Sequence, residues 1–185
     1  MGPFYRLLCV TLGAALLGAT FPVWPAMSAA AAAAMPAHGL GPSEMLKLKQ
    51  LKQKIVVPGW LPQGFRLKAI DVKLPLNGQK ASYQLNYRCF CGGMNYGFAI
   101  MGGSTLLAVK QAKRPERQTS LYFGNLEYFF YDPHPPLQIR DKFYLTRPFG
   151  QAQAPLRFQV LSNFEGAPMR KEQWSELLKH LRYLP

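Results

Sequence analysis

The chain has 185 residues, with 22 Lys and Arg against 9 Asp and Glu, for a formal charge of +13 and a pI near 9.9. Hydrophobic residues make up 49% and aromatics 13%, too much apolar and ring content for a disordered chain. The 16 Gly and 16 Pro argue for many turns and exclude an all-helical bundle, and the length fits one folded domain with an appendage.

Met1 to Arg6 form a short basic lead, and Leu7 to Phe21 is an apolar run of fifteen residues without a charge. That length suits the core of a secretory signal and is short for the ~20 apolar residues of a membrane-spanning helix. Small residues follow at Ala26-Met27-Ser28-Ala29-Ala30, so residues 1–30 read as a signal peptide cut near residues 28–34. The expected location is therefore exported: periplasmic, lumenal or extracellular. An uncleaved N-terminal helix, extended through Val23 and Trp24, is the alternative. Cys9 sits inside the apolar core and is expected to leave with it. Loss of the segment removes only Arg6, leaving 21 cations against 9 acids, so a charge of +12 belongs to the folded part.

Residues 31–43, rich in Ala, Pro, His and Gly, read as a tether with little to bury, and residues 44–185 as a single domain. A helix of about three turns is expected from Ser43, whose hydroxyl would cap it, with Leu48, Leu51 and Ile55 on one stripe. Pro58 to Phe65 is a turn segment. Strand alternation then places Phe65, Leu67 and Ala69 on one face and, after a change of phase, Ile70, Val72 and Leu74, which predicts a bulge near Ala69 or Asp71. Asn77-Gly78 signals a hairpin. In the return strand Tyr83, Leu85, Tyr87, Cys89 and Cys91 share one face and Gln84, Asn86 and Arg88 the other, the mark of an antiparallel sheet. Gly92-Gly93-Met94-Asn95 turns into a strand through Tyr96, Phe98 and Ile100. Further strands are expected at Thr105–Lys110, Ser120–Tyr131, Gln138–Leu145 and Leu156–Leu161, and a closing helix over Met169–Leu184 with Trp174, Leu177, Leu178 and Leu181 on its apolar stripe. The expected fold class is α+β, a curved antiparallel β-meander flanked by an N-terminal and a C-terminal helix.

The run Val57-Pro58-Gly59-Trp60-Leu61-Pro62-Gln63-Gly64-Phe65 resembles the P-x-x-L-P-x-G-F opening of exported bacterial domains of unknown function, of the kind found in envelope and anti-sigma-factor-like proteins. Tyr83 to Arg88, Asn95, Phe98 to Ile100, Gly102-Gly103 and the terminal Trp174–Leu184 segment are similar to small exported cyanobacterial members. The resemblance covers about residues 44–185. It implies an α+β envelope domain and carries over no catalytic residue.

Cys89-x-Cys91 is the one pair with reactive chemistry. Alternate Cβ atoms of an extended strand stand nearly ~7 Å apart, whereas a disulfide wants about 3.8 Å. A bond between them therefore needs a kink, which Gly92-Gly93 could supply; buried free thiols are the alternative. His38, His134 and His180 lack metal-ligand spacing, and no nucleophile elbow, zinc-protease signature, phosphate loop or close carboxylate pair occurs, so no cofactor, no metal and no enzyme activity are expected. Lys47, Lys49, Lys52 and Lys54, and Lys110, Lys113, Arg114 and Arg117, are the tight cationic groups. Tyr128 and Phe130 alternate with Phe129 and Tyr131, so both faces of that strand carry rings, either as a strand covered twice or with one face offered to a partner.

These features lead to an exported, non-catalytic envelope domain that binds a partner protein or an anionic surface. Its expected contacts are Lys47, Lys52, Lys113, Arg114, Arg117, Tyr128 and Phe130, with peripheral membrane contact and without nucleic acid. A carrier of an apolar ligand such as lipid or pigment, and a thiol redox protein using Cys89 and Cys91, are the rival readings.

Overall fold

A computed structural model describes residues 38–76, 80–103, 106–107, 114–131, 142–150, 157–162 and 167–185. The chain divides into two units, Met1–Ala32 and Ala33–Pro185, and every described residue belongs to the second. In chain order its elements are α1 (Pro42–Lys49), β1 (Val56–Pro58), β2 (Arg66–Lys73), β3 (Ser82–Cys91), β4 (Met94–Gly103), β5 (Glu116–Ser120), β6 (Gly124–Tyr131), β7 (Phe143–Thr146), β8 (Arg157–Ser162), α2 (Lys171–Lys179) and β9 (Leu181–Tyr183). β2 to β8 form a seven-stranded antiparallel sheet in the order β2-β3-β4-β8-β7-β6-β5, and β1 pairs with β9 in a separate two-stranded ribbon. An antiparallel sheet with two helices is the α+β class.

The order corrects the single meander. β2-β3-β4 is one run of neighbours and β5-β6-β7-β8 another, and they join where the last strand of each pairs, Phe98 opposite Ser162 through Gly103 opposite Arg157. The bulge falls where the phase change placed it, between Leu67 and Ala69, so that Leu67, Ile70 and Val72 all pack on the core. The Cys91-Gly92-Gly93-Met94 turn has φ of +60° and +77° at its two glycines, the left-handed pair that a two-residue hairpin turn requires. Of the expected strand Ser120–Tyr131, Ser120 instead ends β5, and only Gly124–Tyr131 is strand, the second half of a hairpin. Leu121–Phe123 turn the chain between β5 and β6, exposing Leu121 and Tyr122, and Gly124 at φ +66° opens the return strand after an apolar stretch that reads as continuous.

Both helices are shorter than their stripes predict. α1 is capped by Gly41 with Pro42 in the first turn, and the Ser43 hydroxyl instead donates to the Glu44 carboxylate. It stops at Lys49, and Lys52 at φ +50° turns the chain away, yet Leu51 and Ile55 still reach the core. α2 stops at Lys179. Leu181–Tyr183 continue as β9 rather than as helix, since β1 offers them a partner: Val56 opposite Tyr183 and Pro58 opposite Leu181.

One face of the sheet carries Tyr83, Leu85, Tyr87, Phe98, Ile100, Val160, Leu126 and Tyr128, all buried in one cluster with Leu48, Val56, Trp174, Leu177, Leu178 and Leu181. Each such apolar side chain stabilises by roughly 1.5–3 kcal/mol on full burial. Trp174 stacks on Tyr144 at 5.4 Å and meets Tyr128 edge-on at 6.0 Å. Side chains thus fill the space between α2 and β6–β7. The Tyr83 hydroxyl accepts the Val56 N–H at 2.7 Å and so ties β3 to β1. The tether is corrected too: His38 and Leu40 are buried, the Tyr87 hydroxyl donates to the His38 carbonyl at 2.9 Å, and His38 Nδ1 accepts the Leu40 N–H at 3.1 Å. On the opposite face Ala99, Met101, Leu145, Phe129 and Gln159 are buried, the Gln159 amide bonding the Thr146 carbonyl and both backbone groups of Leu107.

Candidate functional site

The cysteines lie at the end of β3, and the structure pairs their sulfurs as a disulfide with a Cα separation of 5.6 Å. An extended strand would hold these Cα atoms about 6.6 Å apart, so β3 is drawn in by roughly 1 Å where it meets the Gly92-Gly93 turn. The residues are not equivalent. Cys89 is buried at 3% exposure, whereas Cys91, one pleat nearer the turn, is partly exposed.

Three elements meet around Cys91 in an open cleft of about 530 Å³. The Gln63–Phe65 turn forms one wall, Cys91, Gly92 and Tyr96 of the β3–β4 hairpin another, and Arg170 and Gln173 at the head of α2 the third. Gly64 is held at φ +84°, and a Cβ there would stand 2.9 Å from each sulfur, so this turn approaches the pair as only glycine can. The Gln63 carbonyl oxygen lies 4.0 Å from both sulfurs. Arg170 is delivered by the segment before α2. The Ala167 N–H donates to the Asn95 carbonyl at 2.7 Å, pinning that segment beside Tyr96. Cys89-x-Cys91 and the Gly64 turn were visible as sequence signals; Arg170 and Gln173, some eighty residues later, carried none, because a bridge from Ala167 to β4 places them.

The expected partner contacts do not assemble. Lys113 lies outside the described residues, as do Asn77-Gly78 and His134. Lys47 on α1 and Lys52 just after it are exposed near β2, one edge of the sheet, whereas Arg114 and Arg117 lie at β5, the other edge. Tyr128 is corrected: it is 2% exposed, with its hydroxyl donating to Glu116 at 3.0 Å, and cannot offer its ring to a partner. Phe130 is half-buried against Tyr144 at 4.7 Å. With Phe129 buried on the other side, this strand is covered twice.

Electrostatics divide along the same line. Around β5 and β6, Glu127 pairs with Arg117 at 3.2 Å and Arg147 at 2.8 Å, and Glu116 with Lys171 at 2.7 Å. The Lys171 ammonium, with the Tyr128 hydroxyl adding to it, holds the Glu116 carboxyl below the usual carboxylate range. On β2, Arg66, Lys68 and Lys73 are exposed with Asp71 as the sole acid of the strand, and Asp71 accepts from Asn86. Arg66 stands opposite Arg88 in register, and Lys73 opposite Ser82, where Asp71, Lys73, Ser82, Gln84 and Met101 line a groove of about 160 Å³. Burial, then the Arg182 guanidinium, pushes the His38 pKa down. Among the described residues no three His, Cys, Asp or Glu side chains gather as a metal site requires, and no helix is long and apolar enough to cross a membrane. Compared with family profiles, characterised proteins and solved structures, the chain matches none.

Proposed function

We propose that this chain is an exported envelope domain, working in a periplasmic, lumenal or extracellular space, that binds an anionic surface or an acidic partner protein through the β2 edge. The observation that carries the reading is the uneven pairing of charge. At the β5 edge Arg117 and Arg147 share Glu127 and Lys171 pairs with Glu116, whereas at the β2 edge Arg66, Lys68 and Lys73, with Lys47 and Lys52 nearby, outnumber Asp71 and Glu44. Cations without acids raise the local concentration of anions around them. Lysines on an edge strand also deter pairing with another chain's strand, so the same residues protect the sheet. The apolar stretch Leu7–Phe21 and the resemblance of the Pro58–Phe65 opening to exported domains support the compartment.

The test is cosedimentation with vesicles of phosphatidylglycerol and phosphatidylcholine, and with phosphatidylcholine alone. Binding to the anionic vesicles is expected, weakening as salt rises. At about 1 kcal/mol per cation near such a surface, Lys68→Glu with Lys73→Glu lowers it by at least about tenfold, while Arg114→Glu with Arg117→Glu leaves it nearly unchanged. Equal losses from both pairs, or binding indifferent to salt, would refute the β2 edge as the contact.

A further inference from the structure

We propose that Cys89 and Cys91 are a thiol–disulfide exchange site, with Cys91 the sulfur that a partner attacks and Cys89 the sheltered leaving group. The site lies on the opposite face of the sheet from the β2 cations and does not rest on them. Cys91 lines the open cleft and Cys89 is buried, so an incoming thiolate meets Cys91 first. Gly64 leaves the sulfurs uncovered by a side chain where any Cβ would crowd them. The Gln63 carbonyl, 4.0 Å from both sulfurs, is the acceptor at hand for an S–H group once the bond is broken. Arg170 sets a permanent cation on the same cleft, and a nearby guanidinium favours thiolate over thiol. The cleft volume of about 530 Å³, walled by Tyr96 and Gln173 and open to solvent, admits a peptide side chain rather than a proton alone.

The co-reactant is a partner protein's dithiol. One partner thiolate attacks Cys91 Sγ, forming a mixed disulfide as the Cys91–Cys89 bond breaks, and the electron pair leaves on Cys89 Sγ, which takes up the proton the partner thiol lost. The partner's second thiolate then attacks the partner sulfur of the mixed disulfide, and Cys91 leaves as a thiolate and is protonated. The partner dithiol is oxidised to a disulfide and this pair is reduced to two thiols, one exchange for each pair.

The experiment starts from the oxidised wild-type chain, treated with limiting reduced glutathione, quenched with acid and mapped by peptide mass spectrometry. The glutathione adduct is expected on Cys91, in at least about tenfold excess over Cys89, given the difference in access. Single variants, treated with oxidised glutathione instead, extend this: Cys89→Ser retains a Cys91 thiol that accumulates the adduct and releases reduced glutathione, and Cys91→Ser retains a Cys89 that does not. In the Cys89→Ser background, Arg170→Gln slows alkylation of Cys91 at neutral pH by about three- to tenfold and shifts its pH midpoint upward, leaving the rate at high pH unchanged. A merely structural Arg170 would not produce that pH signature. The proposal is overturned if the wild-type chain holds two free thiols in excess oxidised glutathione, or if the adduct falls on Cys89 or equally on both. These readings need no vesicle, so they stand or fall separately from binding at the β2 edge.

Discussion

The two ends of the sheet use the same kinds of residue to opposite ends. From β5 to β7, rings stack on Trp174 and acids sit between cations, so that Tyr128 is taken up by Tyr144 and Glu116, and Arg117 by Glu127. From β2 to β4, the cations face solvent, the hairpin turn is bare glycine, and a cleft reaches a cysteine. A ring or a charge is available to a partner only where the fold has not already supplied one. Density of such residues along the sequence marks the first end, and their availability marks the second.

The largest expected effect breaks the closed end. Trp174→Ala removes a fully buried indole and destabilises by ~3–5 kcal/mol, read as a lower midpoint in urea unfolding. If the loss is under ~1 kcal/mol, α2 does not hold that end by its rings. Next comes the tie between β3 and β1. Tyr83→Phe leaves Val56 without its 2.7 Å acceptor and is expected to lower stability by ~1–3 kcal/mol in the same measurement. The third is pH. Folded His38 has a pKa depressed by burial and by Arg182, while the unfolded residue titrates near 6.5. Above that pH both states are neutral and nothing is lost. As pH falls below about 6.5 the unfolded chain binds the proton that the folded one refuses, so stability declines, by at most about 1.4 kcal/mol per pH unit. Thermal melts of wild type and His38→Gln between pH 5 and 7.5 separate this, the variant showing the shallower decline. Smallest is Arg117→Gln. The pair with Glu127 is largely exposed on the Arg side, and its loss changes stability by less than ~0.5 kcal/mol.

Local patterns survived the comparison with the structure where burial is one-sided. In β3 the alternation from Tyr83 to Cys89 reports directly which side chains meet the core, and the phase slip at Leu67/Ala69 located the bulge. Patterns failed where a distant partner decided the outcome. Leu181 fits a helical stripe and is fully buried, but β1 draws its backbone into a strand. Leu121–Phe123 read as strand because they are apolar, although two of them end in solvent. The pairing of β4 with β8 has no local signature, and neither does the docking of His38 beneath Tyr87. The cleft was half legible: its cysteines and Gly64 stand out, whereas Arg170 reaches it only through a bridge from Ala167.

The β1–β9 ribbon imposes a schedule. Val56 cannot meet Tyr183 until every intervening residue has been synthesised, so a growing chain carries β1 without its strand partner throughout elongation. The cysteines are separated by a single residue and need no such wait. Wherever an oxidant reaches the growing chain, the fold therefore lets the two sulfurs be joined before the clasp that finishes it can close.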